Sequence, residues 1–158
     1  MQSIYSDEFE SLICGLRNSN KEFRAQCTAK IVKYGKDAVP RILPLLQDSD
    51  WVIRYRAAEA LGQIHAPEAV PSLINTCSDQ KDHVRYMAAK SLGLMRAPEA
   101  NSILISLLND GHPYTRGIAA EGLAAIGDIT GKAGIEAALP YEQDLAIKER
   151  MIKSLNSF

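Results

Sequence analysis

The 158 residues carry a formal net charge of −1, and 46% of them are apolar. Such a chain suits one domain able to bury about 70% of its extended surface, which excludes a disordered polymer. An isoelectric point near 6.3 gives a polyanion little to hold, and no apolar run approaches the ~20 residues that span a bilayer, so neither nucleic acid nor membrane is an expected partner.

In chain order, the N-terminus MQSIYSDEFESLICGLRNSN lacks a basic stretch before an apolar core and does not read as a secretion signal. Residues 7–17 (DEFESLICGLR) predict a helix whose stripe is Leu12, Ile13 and Leu16. A similar stripe, Val39, Ile42, Leu43 and Leu46, follows in 23–50, where Pro44 falls inside the predicted helix and is expected to bend it. Residues 51–81 then align without gaps on 82–112, with 13 of 31 positions identical. Arg54, Arg85 and Arg116 lie 31 apart, as do Ala58, Ala89 and Ala120, and Leu61, Leu92 and Leu123. Self-similarity at such a period marks a stacked-repeat architecture.

Each unit predicts two helices. The first, about 50–64 in the second unit, places Ile53, Ala57, Leu61 and Ile64 on one face. Pro67 and Pro98 break the chain, and a second helix follows with Val70, Leu73, Ile74 and Cys77 inward. A helix pair cannot cover both its apolar faces, so neighbours must stack. The expectation is an all-α superhelix, a solenoid of about four to five helix pairs and ten helices in one domain over 1–158. Its parts are a half-unit at 7–17, units at about 19–48, 49–79, 80–110 and 111–141, and a terminal half-unit at 142–158. In that last helix Leu145, Ile152 and Leu155 are expected inward, with Lys148, Glu149, Arg150 and Lys153 on a polar outer side.

The run R-x-x-A-A-x-x-L-G, then A-P-E-A, then an aspartate closing the second helix, resembles the short HEAT repeats first described in phycobilisome bilin lyases, over roughly 18–158. The resemblance implies the α–α superhelix. For function it implies less, because such repeats serve lyases, hydroxylases, DNA glycosylase relatives and plain scaffolds. In the similar iron-dependent deoxyhypusine hydroxylases, His-Glu pairs in the first helices ligate the metal. The corresponding positions here are Tyr55-Arg56, Tyr86-Met87 and Gly117-Ile118, which offer no such ligands. His65, His83 and His112 fall at turns without a helical metal motif, so no metal, cofactor or catalytic residue is expected. Cys14, Cys27 and Cys77 form no CxxC pair, which fits a reducing cytosol and a cytoplasmic protein. Cys14 is expected to face outward as a lone thiol.

Asp48–Arg54, Asp79–Arg85 and Asp110–Arg116 are each six residues apart and predict a structural ladder of carboxylates and guanidiniums, since a catalytic pair occurs once and not in every unit. Tyr55 and Tyr86 share a helix side with Gly62 and Gly93. They are expected to lie over those glycines and let first helices approach, with an aromatic patch on the convex side as the other reading. The second helices are expected to line the concave side. Their outward positions form three rows: Ser11, Arg41, Ser72, Ile103 and Gly134; Cys14, Pro44, Asn75, Ser106 and Ala137; Arg17, Gln47, Ser78, Asn109 and Pro140. From these, Arg41, Gln47, Ser72, Asn75, Ser78, Ile103, Ser106 and Asn109 are the candidate partner-binding residues, a mostly uncharged strip suited to an extended peptide or a partner helix. The expected function is a non-enzymatic protein-binding scaffold or assembly factor, with a homo- or hetero-dimer left open. The alternative is a subunit of a bilin lyase-type or other modifying enzyme.

Overall fold

Local chemistry sets where each helix begins. The computed structural model describes residues 7–158, and the described residues form ten α-helices and no strand. They are α1 (Asp7–Gly15), α2 (Lys21–Val32), α3 (Val39–Ile42), α4 (Trp51–Ile64), α5 (Val70–Thr76), α6 (Asp82–Leu94), α7 (Asn101–Leu107), α8 (Pro113–Ile126), α9 (Ile129–Ala138) and α10 (Leu145–Leu155). Asn20, Asp50, Asp128 and Asp144 cap α2, α4, α9 and α10, their side chains accepting from backbone amides of the first turn. Lys81 and His112 precede α6 and α8 without a side-chain cap. There Asp82 in the first turn and Pro113 at the first position favour the helix start. At the other end α4 stops on His65 and α8 on Gly127, both in the left-handed region at φ 56° and 79°.

The predicted breaks fall where the prolines stand. Pro67 and Pro98 each open a 3₁₀ turn that leads into the second helix of its pair. Around Pro44 the α-helix does not continue: α3 lasts four residues, and Leu43–Gln47 winds as a 3₁₀ helix. Proline has no amide to donate four residues back, so the tighter winding replaces the bonds it removes.

Packing then makes two layers of helices around one apolar seam, the stacked-pair solenoid that the repeat predicts. The fully buried side chains recur with the repeat: Ile42, Leu73, Leu104 and Ile135 from the second helices, and Ile53, Leu61, Leu92 and Leu123 from the first. Burying each stabilises the fold by about 1.5–3 kcal/mol relative to exposure. The first helices approach to backbone contact. A Cβ on Gly93 would lie 2.7 Å from the Gly122 Cα, and one on Gly62 would lie 2.9 Å from the Ser91 Cα. Ser91, itself buried, donates its hydroxyl to the Ala58 carbonyl at 2.8 Å and so ties α6 to α4.

The register of α10 differs from the expectation. Ile147, Met151 and Ser154 are the buried residues, whereas Leu145 and Ile152 are exposed and Leu155 is half-buried. One residue is inserted ahead of α10: Asp48, Asp79 and Asp110 keep a 31-residue step, but the next acid in the series is Glu142, 32 further on. Arg150 is not on a polar outer side either. It donates to Glu121 at 2.8 Å, and its guanidinium lies against Gly117 of α8, where any larger residue would displace it.

Candidate binding surfaces

Each ladder arginine sits in the first turns of a first helix, aimed back at the turn before it and across to the next. Within the six-residue spacing the contact is to backbone: Arg54 donates to the Asp48 carbonyl at 2.8 Å, and Arg85 and Arg116 donate to the Asp79 and Asp110 carbonyls at 2.9 Å. The carboxylate partner comes from further along. Arg54 pairs with Asp79 (2.7 and 2.9 Å), Arg85 with Asp110 (2.7 and 2.9 Å) and Arg116 with Glu142 (2.6 and 2.7 Å), each through two parallel bonds. The predicted ladder is present, but its ion pairs run 25 or 26 residues apart and not six. Each acid also accepts the amide two residues on, as Asp79 does from Lys81 at 2.8 Å. Burial alone would raise the Asp79 and Asp110 carboxyls, but the facing arginine and that amide more than offset it and hold both below the usual range. Arg116 does the same for Glu142. Such groups are ionised at neutral pH and already committed to one another, which leaves them nothing to donate to chemistry.

The first rung is wired differently. Arg24 makes the same backbone contacts, to the Asn18 and Ser19 carbonyls at 2.7 and 2.9 Å. Asp48, which would complete it, is taken by Arg17 at 2.5 Å. The Arg24 Nε is buried without a partner.

Of the eight strip residues, Gln47, Asn75, Ser78, Ser106 and Asn109 are exposed, while Arg41, Ser72 and Ile103 are half-buried. Arg41 pairs with Glu10 at 2.6 Å, and Ile103 packs partly against the core. The middle row is exposed along its length, Cys14, Pro44, Asn75, Ser106 and Ala137. Gln47, Asn75 and Ser78 border a hollow of about 570 Å³ between successive second helices. Among the described residues all three cysteines are free, Cys14 exposed and the other two buried, with the Cys77 thiol pushed up to about 12 by its surroundings.

One expectation about rings changes. Gly62 and Gly93 do admit a close neighbour, but it is Ser91 and Gly122 of the following first helix and not a tyrosine ring. His83, exposed, and His112, half-buried, share one carboxylate. Asp82 takes His83 Nδ1 at 2.8 Å and His112 Nε2 at 3.2 Å. Both belong to a row, Trp51, His83, His112 and Tyr114, with ring centroids 5.4, 6.1 and 5.7 Å apart. The sequence signal was faint, because only His83 and Tyr114 share a repeat position, while Trp51 and His112 do not. Among the described residues no group of three or more His, Cys, Asp or Glu is placed to hold a metal ion, and no helix is long and apolar enough to cross a membrane.

A family model described as HEAT repeats matches residues 9–86 and again 71–156. No curated protein matches the chain. Among solved structures it is similar to a chain in the complex of CpcE and CpcF of phycocyanin lyase from Nostoc sp. PCC7120, with 23% identity, a TM-score of 0.84, and coverage of 92% of this chain and 96% of that one. It is also similar to a computationally designed armadillo repeat protein for modular peptide recognition (18% identity, TM-score 0.63, 95% of this chain and 82% of that one). A designed armadillo repeat protein in complex with the peptide (KR)4 matches with 16% identity and a TM-score of 0.62, over 95% of this chain and 81% of that one. At these identities the structural likeness speaks to the fold.

Proposed function

The chain belongs to the HEAT-repeat family, and from that premise we propose that it is a non-enzymatic binding module that holds an extended peptide or a partner helix along its second helices. The observation that carries this reading is the strip itself. Gln47, Asn75, Ser78, Ser106 and Asn109 recur with the repeat, stay exposed, and offer uncharged hydrogen-bonding groups at matching heights. The cations flanking them, Arg17 and Arg41, are occupied by Asp48 and Glu10. A surface of that kind favours backbone amides and carbonyls over a charged ligand, and repetition along the stack suits a ligand that is itself periodic. The likeness to a designed repeat protein in complex with a peptide supports the reading.

A second reading has its own support. The chain covers 96% of a chain found in the complex of CpcE and CpcF of phycocyanin lyase, so a subunit of a two-chain modifying enzyme is the alternative. One experiment addresses both. Affinity capture from the native organism is run with the natural protein and with Asn75→Arg plus Ser106→Arg, which places two bulky cations on the strip. Both positions are exposed, so the melting temperature should stay within about 1–2 °C. The binding module loses its partner in the double variant. A partner retained there, at unchanged stability, refutes the strip. A partner that is a second helical-repeat chain, together forming a species that attaches bilin to phycocyanin, favours the alternative.

A further inference from the structure

The unpaired first rung borders a second feature, on the opposite layer from the strip. A cleft of about 300 Å³ opens beside the N-terminal halves of α2 and α4, lined chiefly by Lys21, Arg24, Trp51, Tyr55, Arg56 and His83. Lys21, Arg24 and Arg56 bring three permanent positive charges, and no carboxylate lines the cleft, in a chain whose net charge is −1. Arg56 is tied at one nitrogen to Glu59 (2.7 Å), and neither Lys21 nor Arg24 has an acid within ion-pair distance among the described residues. The other ladder arginines each grip a carboxylate through two bonds, so the repeat supplies a partner wherever it is obeyed.

A second observation points the same way. The Nε atoms of Arg24 and Arg56 are both buried without a hydrogen-bond partner, and Arg56 is 93% buried as a residue, being 7% exposed. Orphaned donors of this kind are costly in a folded protein, and since both Nε atoms are covered, a ligand in the cleft would meet the other nitrogens of the two guanidiniums. The walls beside them are flat: Trp51 is partly exposed, and Tyr55 is half-buried with the Arg56 guanidinium 5.5 Å from its ring centre. Cations set against aromatic faces accept a ligand that combines a negative group with a planar ring, because one end pairs with the guanidiniums while the other stacks. The volume sits at the lower end of small-ligand pockets, about 300 Å³, which fits one ring and one anionic group.

We propose that this cleft binds a phosphate monoester carried on an aromatic ring, with Arg24, Arg56 and Lys21 holding the phosphate and Trp51 and Tyr55 flanking the ring. A free aryl phosphate and a phosphotyrosine side chain share this chemistry. Trp51 is the one tryptophan in the chain, so its fluorescence reads the site directly. The folded protein is titrated with phenyl phosphate, inorganic phosphate and phenol. Phenyl phosphate should change the emission saturably at a concentration at least tenfold below either fragment, and added salt should weaken it. Lys21→Glu, at an exposed position, should weaken it about tenfold at unchanged melting temperature, and Arg24→Gln should weaken it further. A phosphotyrosyl tripeptide that binds as tightly as phenyl phosphate assigns the source to a protein side chain, and one that binds more weakly assigns it to a free molecule. No saturable change overturns the proposal. Equal binding of inorganic phosphate, which means an adventitious ion only, overturns it too, as does a Lys21→Glu protein that binds like the natural one.

Discussion

Asp79→Ala tests the ladder where it is most enclosed. The Asp79 side chain is 10% exposed and that of Arg54 9%, so the pair is nearly out of water. The substitution removes two guanidinium–carboxylate bonds, at 2.7 and 2.9 Å, and the acceptor for the Lys81 amide at 2.8 Å. Removing one partner of a buried ion pair costs about 3–5 kcal/mol, chiefly by leaving the other charge unpaired. Here Arg54 keeps its bonds to the Asp48 and Ser49 carbonyls at 2.8 and 3.2 Å, which moderates the loss. The expected destabilisation is therefore about 3 kcal/mol, at the bottom of that range, and for a chain of this length it lowers Tm by roughly 6–12 °C. Urea denaturation followed by circular dichroism measures it, and hydrogen exchange should show the loss spreading into the pairs on both sides of the joint. The companion variant Arg54→Met with Asp79→Leu leaves no stranded charge and should fall within about 1 kcal/mol of the natural protein. If Asp79→Ala costs less than about 1 kcal/mol, or the double variant costs as much as the single, the ladder does not hold the joint in the way its geometry argues.

Acid should act on the same joints. Asp48, Asp79, Asp110 and Glu142 all titrate below the usual carboxylate range in the fold, so their contribution is present above the unfolded value near 4 and is lost as pH falls through the folded values. The urea midpoint should be flat between about pH 5 and 7 and drop below about pH 4, less steeply in Asp79→Ala, and a midpoint that rises on acidification reverses the sign of the argument. Gly93→Ala should cost about 1–3 kcal/mol although alanine is the better helix former, because its Cβ would stand 2.7 Å from the Gly122 backbone and force α6 from α8. Gly111→Ala, with nothing within 4 Å of the added Cβ, should be neutral to within about 0.5 kcal/mol, and comparable losses at the two sites would mean that the close approach is not what requires glycine.

The repeat made the fold legible in the sequence. Arg54, Ala58 and Leu61 recurring at 31 residues fix helix phase, inward face and stacking together, and Pro67 and Pro98 mark the joints. The reading went astray where a contact crosses from one unit to another. The pairing of Arg54 with Asp79 and not Asp48 depends on how successive pairs are offset, which spacing along one strand of sequence does not encode. The inward face of α10 was misjudged because Leu145 and Ile152 are spaced as plausibly as Ile147 and Met151, and spacing alone does not choose between them. Two rows of the strip were legible as exposed positions, since the inward stripe of Val39, Ile42 and Leu46 leaves 44 and 47 nowhere to go but outward, whereas Arg41, Ser72 and Ile103 flank the core and are half-buried. The ring row and the cationic cleft were not, because each joins side chains from successive units, and which of them meet depends on how the units stack.

In a stacked repeat the same packing problem recurs in every unit, so a residue that repeats is explained by the stack, and one that departs needs its own cause. Gly117 departs from Tyr55 and Tyr86, and the space it leaves is filled by the Arg150 guanidinium from α10. Glu142 departs from the aspartates, and its longer side chain reaches Arg116 across the extra residue at 2.6 Å. Both departures are answered within the chain. Arg17 stands at the ladder position that holds Asp48, Asp79 and Asp110 in later units; it takes the acid that Arg24 would use, and nothing among the described residues replaces that acid. A guanidinium stripped of its carboxylate beside two aromatic rings is the departure the stack does not explain. An anion from outside the chain is the completion proposed for it, and the phenyl phosphate titration tests that.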